Sequence, residues 1–114
     1  MGEIRVNASG TRRSTITVLL DGEIDHVATA DLRATLVDVI LHRKPRRLII
    51  DLNRVTALDA SAVGALRAAH ATALDTGLPT IFRTAGSPLT RELDDDGIPH
   101  SPVRRRVAAG FGAD

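Results

Sequence analysis

The side chains best placed to do chemistry in this 114-residue chain fall in two short stretches, residues 21–25 (DGEID) and residues 58–64 (LDASAVG). In each, an apolar run gives way to a helical pattern, and in open α/β sheets function concentrates where the chain leaves a strand for a helix. The second stretch is the more informative. Asp59 stands directly before a helix, so its carboxylate is available to the free amides of the first turn, and Ser61 lies within that turn. A hydroxyl there is exposed. A phosphate added to it would meet the positive end of the helix dipole and the repulsion of the neighbouring carboxylate, which suits a charge switch. An ordinary N-cap with a small polar filler explains the same two residues without any chemistry.

Other chemistries have less support. Ser61, His70 and Asp59 lie along one helix, the serine and histidine are nine positions apart, and there is no G-x-S-x-G elbow, so a hydrolytic triad is not expected. His70 reads instead as a half-buried helix side chain. His26, His42 and His100 stand singly without paired spacing, and the chain has no cysteine, so neither a metal site, a cofactor nor thiol chemistry is expected. A phosphate-binding G-x-x-x-x-G-K-[ST] loop is absent, and with it nucleotide hydrolysis. Asp94, Asp95 and Asp96 read as the solvated end of a helix, and Arg104, Arg105 and Arg106, like Arg12 and Arg13, as solvated surface. A net charge of +1 provides no field to draw in nucleic acid or an acidic membrane. No apolar stretch approaches the roughly twenty residues of a membrane span, and the opening residues MGEIRVNASGTRR lack a signal core. A cytoplasmic protein without a small-molecule substrate is the expectation.

The elements that must position these stretches follow from periodicity. Residues 4–6 and 16–20 are apolar runs separated by the turn formers of residues 7–11, and read as two strands. From Ala28, the residues Leu32, Leu36, Val39 and Ile40 mark one face of a helix ending near His42, with Asp25 and Thr29 both candidate caps and Pro45 a stop. The unbroken run Leu48, Ile49 and Ile50 predicts a central strand covered on both faces. Residues 53–59 read as a loop leading into a helix over 60–74, whose apolar stripe is Val63, Leu66, Ala69, Ala73 and Leu74, closed by Gly77. A strand over 79–84, a short helix over 87–97 and a weak edge strand over 98–103 complete the order. With 43% hydrophobic and 25% charged residues there is room for one domain with a core. The prediction is a single α/β domain over 1–103, a mixed sheet of four to five strands with three to four helices, then a basic, Gly- and Ala-rich tail over 104–114.

Three blocks carry a resemblance. DLNRVTALDASAVGAL (residues 51–66) resembles the D-L … D-S-S/T-G-L-G signature of STAS domains of the bacterial anti-sigma factor antagonist family. LLDGEIDHVATADL (19–32) is similar to that family's G-E-L-D strand and loop, and SPLTRELDDDGI (87–98) to its third-helix segment. All three stand in the family's order and spacing. The resemblance implies a partner switch rather than an enzyme. The antagonist, unphosphorylated, binds an anti-sigma factor that is also a serine kinase and so frees a sigma factor, and phosphorylation of the serine after the signature Asp reverses this.

At that position this chain has Ala60, which accepts no phosphate, while Ser61 matches the family's second Ser/Thr and Ala62 replaces the first signature Gly. Successive helical positions differ by about 100° in direction, so Ser61 does not simply substitute. The resemblance therefore implies an antagonist that binds constitutively, with Ser61 as a displaced acceptor or a different partner as the alternatives. The partner surface it implies comprises Gly22, Glu23, Asp25, His26, Asp59, Ala60, Ser61, Gly64 and Arg67. Other STAS modules that lack the acceptor serine give the alternative functions: a subunit of a lipid-transport ABC complex, a scaffold of a stress-signalling particle, or a nucleotide-binding regulatory module.

Overall fold

Side-chain alternation sets the sheet. In β2 (Thr15–Ile24) Ile16, Val18 and Leu20 point to one face, as do Leu48, Ile50 and Leu52 of β3 (Arg47–Leu58) and Phe82 of β4 (Thr80–Thr84), and all are buried. The computed structural model describes residues 2–10, 14–84 and 101–102. With β1 (Glu3–Ser9) and β5 (Ser101–Pro102), these strands form a five-stranded sheet in the order β1-β2-β3-β4-β5. The β1–β2 pair is antiparallel and the remaining pairs are parallel. Helix α1 (His26–Val37) connects β2 to β3, and α2 (Ala60–Thr76) connects β3 to β4. Both crossovers step the same way along the sheet, so right-handed connections put both helices on one face. There Leu32, Leu36, Val63 and Leu66 pack with the inward strand row in one apolar core.

The α/β class and mixed sheet are those expected, with longer elements than periodicity suggested. Strand β1 runs through Asn7–Ser9, whose composition predicts a turn, and Gly10 turns the chain at φ +82°. The run Leu48–Ile50 is covered by helices on one side only among the described residues. Leu48 and Ile50 join the core, whereas Ile49 faces away and is buried between its register partners Thr17 and Ile81. The predicted loop over 53–59 is strand as far as Leu58. From Asp51 to Leu58, β3 takes seven steps against five from Leu19 to Ile24 in β2, with bulges absorbing the difference. Inward residues of β3 consequently fall at Leu52, Val55 and Leu58, a spacing of three that masks a strand whose ordinary period is two.

Helix α1 ends in a π-helical turn, Asp38–Arg43, in which the Lys44 amide bonds the Val39 carbonyl at 3.1 Å. Lys44, at φ +47°, terminates it ahead of Pro45. Helix α2 is capped by Gly77 as expected, at φ +72°, with Leu78 N donating to Ala73 O. Its buried row is Ala62, Val63, Ala65, Leu66, Ala69 and Ala73, and the small side chains let it lie close to the sheet. Leu74, assigned to that stripe from the sequence, is 67% exposed, because it sits about 100° round the helix from Ala73. The helix read over 87–97 and the tail lie outside the described residues.

Candidate functional site

Two strand-to-helix junctions lie side by side at one end of the sheet. Strand β2 ends at Ile24, Asp25 caps, and α1 starts at His26; β3 ends at Leu58, Asp59 caps, and α2 starts at Ala60. Each is a single residue rather than a loop. Ile24 and Leu58 are register partners, and the Asp59 amide donates to the Ile24 carbonyl at 2.9 Å, so one junction fixes the position of the other.

The caps use their carboxylates differently. Asp25 Oδ1 accepts from the Ala28 amide at 2.9 Å, reaching the third helical residue. Thr29, the other candidate cap, is instead 3% exposed inside α1, and its hydroxyl donates back to the Asp25 carbonyl at 2.8 Å. Asp59 Oδ2 accepts from the Ser61 amide at 3.0 Å and from the Ser61 hydroxyl at 2.5 Å. That hydroxyl, then the amide, holds the Asp59 carboxyl below its ordinary value of 3.8; His26 adds to this and desolvation opposes it. On its other side the Ser61 oxygen lies 3.2 Å from Thr29 Oγ1. Ser61 has one proton to give, and the carboxylate is the stronger acceptor. Asp25, Thr29, Ser61 and Asp59 thus make a polar tie across the two helix starts, each hydroxyl donating to its own aspartate and the two oxygens meeting at 3.2 Å.

The remaining predicted residues surround this tie. Gly22 occupies the irregular end of β2 at φ +83°, where the register against β3 shifts, and Glu23 follows it, exposed. Asp21, paired in register with Arg54, is 3.8 Å from its guanidinium. His26 and Ala60 are the exposed first residues of their helices. Gly64 lies one turn beyond Ala60 on α2, and Arg67 the next turn on, exposed. A Cβ added at Gly64 would meet nothing within 4 Å. The fold does not require a glycine there, although one inside a helix costs about 1 kcal/mol relative to alanine.

His70 is half-buried as expected and lies edge-on to Phe82, ring centres 6.1 Å apart, while the Ser61 hydroxyl meets Asp59 and Thr29. Two residues at this end have roles that the sequence does not assign, Thr29 being expected only as a cap. Thr29 supplies the buried half of the tie; the available signal was a β-branched hydroxyl four residues after the cap, where it can bond the i−4 carbonyl. Val27, 68% exposed in the first turn of α1, lies off the Leu32–Leu36 stripe, which is the pattern of an outward apolar residue.

Comparison with known proteins bears on this geometry. The structure of the anti-sigma factor antagonist SpoIIAA in its unphosphorylated form superposes with a TM-score of 0.73 at 24% identity, covering 93% of this chain and 94% of that one. The phosphorylated form of SpoIIAA, a cell fate determinant of Bacillus, gives 0.74 at 23% identity over 93% and 96%. An anti-sigma factor antagonist from Mycobacterium paratuberculosis gives 0.73 at 20% over 96% and 95%. At these identities the likeness establishes a common fold. No curated protein sequence matches significantly. The family model described as Mlab, STAS domain matches residues 7–94, which include both junctions and the whole of α1, β3 and α2. The chain belongs to this STAS-domain family.

Proposed function

We propose that the paired junctions form the docking surface of an anti-sigma factor antagonist, which binds an anti-sigma factor of the serine kinase type and thereby releases a sigma factor. The observation that carries this reading is the state of the first turn of α2. Ala60 presents a small neutral side chain at the position where the family's acceptor serine stands, and the Ser61 hydroxyl is engaged by Asp59 at 2.5 Å and by Thr29 at 3.2 Å. This supports an antagonist held permanently in the form that binds, acting in the cytoplasm as a docking module without catalysis or cofactor. Gly22, Glu23, Asp25, His26, Asp59, Ala60, Gly64 and Arg67 are the proposed contact residues, with Val27 added, and Ser61 supports them from beneath. Titration of the protein against a kinase-type anti-sigma factor, followed by calorimetry, tests it. Binding at micromolar affinity or better is expected; no heat with any such kinase encoded beside the gene would overturn the reading.

A second reading, a STAS subunit of a different assembly such as a lipid-transport ABC complex, is favoured by Ala60, since such a subunit needs no acceptor. Affinity purification from the native cell separates the two, with recovery of an ABC ATPase in place of a kinase supporting the second.

A further inference from the structure

From the second turn of α2 onward, α1 and α2 leave an open groove between them. A cavity of about 160 Å³ is walled by Leu36, Val37 and Leu41 and floored by Ala65 and Ala68. It is continuous, through Ile40 and Leu41, with a second of about 550 Å³ that runs to the carboxyl end of α2. Val37 and Leu41 are 49% and 43% exposed, two of the four large apolar side chains that the described residues leave in water. The alanine floor stops short of covering them. From Ala65 to Thr76 the groove follows α2 for about 16 Å at 1.5 Å per residue, the length of three turns of an incoming helix.

Charge indicates what that helix carries. Arg33, Lys44 and Arg46 line the two cavities, and among the described residues no Asp or Glu does. Asp38, next to Val37 in the chain, is engaged by Arg43 at 3.0 Å and lies 3.4 Å from His42, and Asp75, beside Thr76, is exposed. Lys44 reaches the groove because the π-helical turn ends on it in the left-handed conformation, a backbone state that costs energy in a residue other than glycine and that recurs at functional positions. From these features we infer a second docking site: this groove receives an amphipathic helix of a partner protein, its apolar stripe on Leu36, Val37 and Leu41 and its acidic flanks on Arg33, Lys44 and Arg46. It runs away from the junctions, beginning where Ala65 and Ala68 adjoin Gly64 and Arg67, and does not rest on the function proposed for them.

A displayed library of twenty-residue helices with a fixed leucine stripe and flanking positions randomised between Glu, Lys and Gln provides the probe. The full-length protein is expected to enrich Glu over Lys at those flanks by about tenfold, the scale of one or two good ion pairs. Ala68→Glu, which fills the floor at an exposed helical position, is expected to lose the selected helices, and the combined Arg33→Glu, Lys44→Glu and Arg46→Glu protein to prefer Lys. Ala60→Asp, at the other end, is expected to retain them. Enrichment of Lys by the wild-type protein, equal retention by Ala68→Glu, or an unchanged preference in the charge-reversed protein would overturn the inference. So would a wild-type dimer in sedimentation that Ala68→Glu dissolves, since the occupant would then be a second copy.

Discussion

The two helix starts are built to one plan and finished differently. Both place an aspartate between the last residue of a parallel strand and the first of a helix, and Ile24 and Leu58 pair directly. At the first, Asp25 bonds the third helical amide and α1 continues with the exposed His26 and Val27. At the second, Asp59 turns to Ser61, amide and hydroxyl together, and leaves Ala60 outside the network. The difference separates two tasks that a single serine at position 60 would combine. In the proposed function Ser61 performs the structural one, holding the junctions together against Thr29, and Ala60 belongs to the face offered to a partner.

Altering that face should have the largest effect. Ala60→Asp places a fixed charge at the centre of the proposed contact, and a charge left unpaired in an interface costs about 2 kcal/mol or more, so calorimetry should record a loss of affinity of roughly thirtyfold or greater. Unchanged affinity would place the contact elsewhere. Next come the two halves of the tie. Thr29→Val and Ser61→Ala should each lower stability by about 1 kcal/mol, and together by other than the sum, because the two hydroxyl oxygens are in contact at 3.2 Å. Full additivity in a denaturant double-mutant cycle would show that the hydroxyls do not interact.

Gly64→Ala should move stability and binding in opposite directions. The added methyl meets no neighbour, so the helix gains about 0.5–1 kcal/mol in thermal unfolding, while a partner that approaches α2 closely loses affinity. A gain in both would mean that the glycine serves neither task. The smallest effect is on acid stability. Asp59 is held below its ordinary value in the folded protein, so its contribution is complete above about pH 4 and is lost as the pH falls through the lower folded value. Unfolding midpoints measured downward from pH 5 should therefore fall less steeply in Asp59→Asn than in the parent; parallel curves would remove the carboxylate from the account.

Much of this plan was legible in the sequence because it rests on local chemistry. Asp59 before a helical pattern, Gly77 after it, and the Leu32–Leu36 stripe each depend on neighbours within four residues, and each stands where the pattern put it. The portions that were hidden depend on distant strands. Residues 53–58 looked like a loop because two bulges, visible only against β2, stretch the inward spacing to three. Ile49 looked like a strand with helices on both sides, though the neighbours that bury it are Thr17 and Ile81. The Ser61–Thr29 contact joins residues 32 apart, and nothing local to either announces the other. The groove is likewise a product of two helices whose small and large residues meet only in the fold.

The central claim is that Ala60 leaves this surface permanently competent while Ser61 is structural. It is tested most directly by incubating wild-type protein and Ala60→Ser with a kinase-type anti-sigma factor and ATP, then mapping phosphate by mass spectrometry. The account predicts no phosphate on the wild-type chain and stoichiometric phosphate at position 60 of Ala60→Ser. Stoichiometric phosphate on Ser61 of the wild-type protein would contradict it.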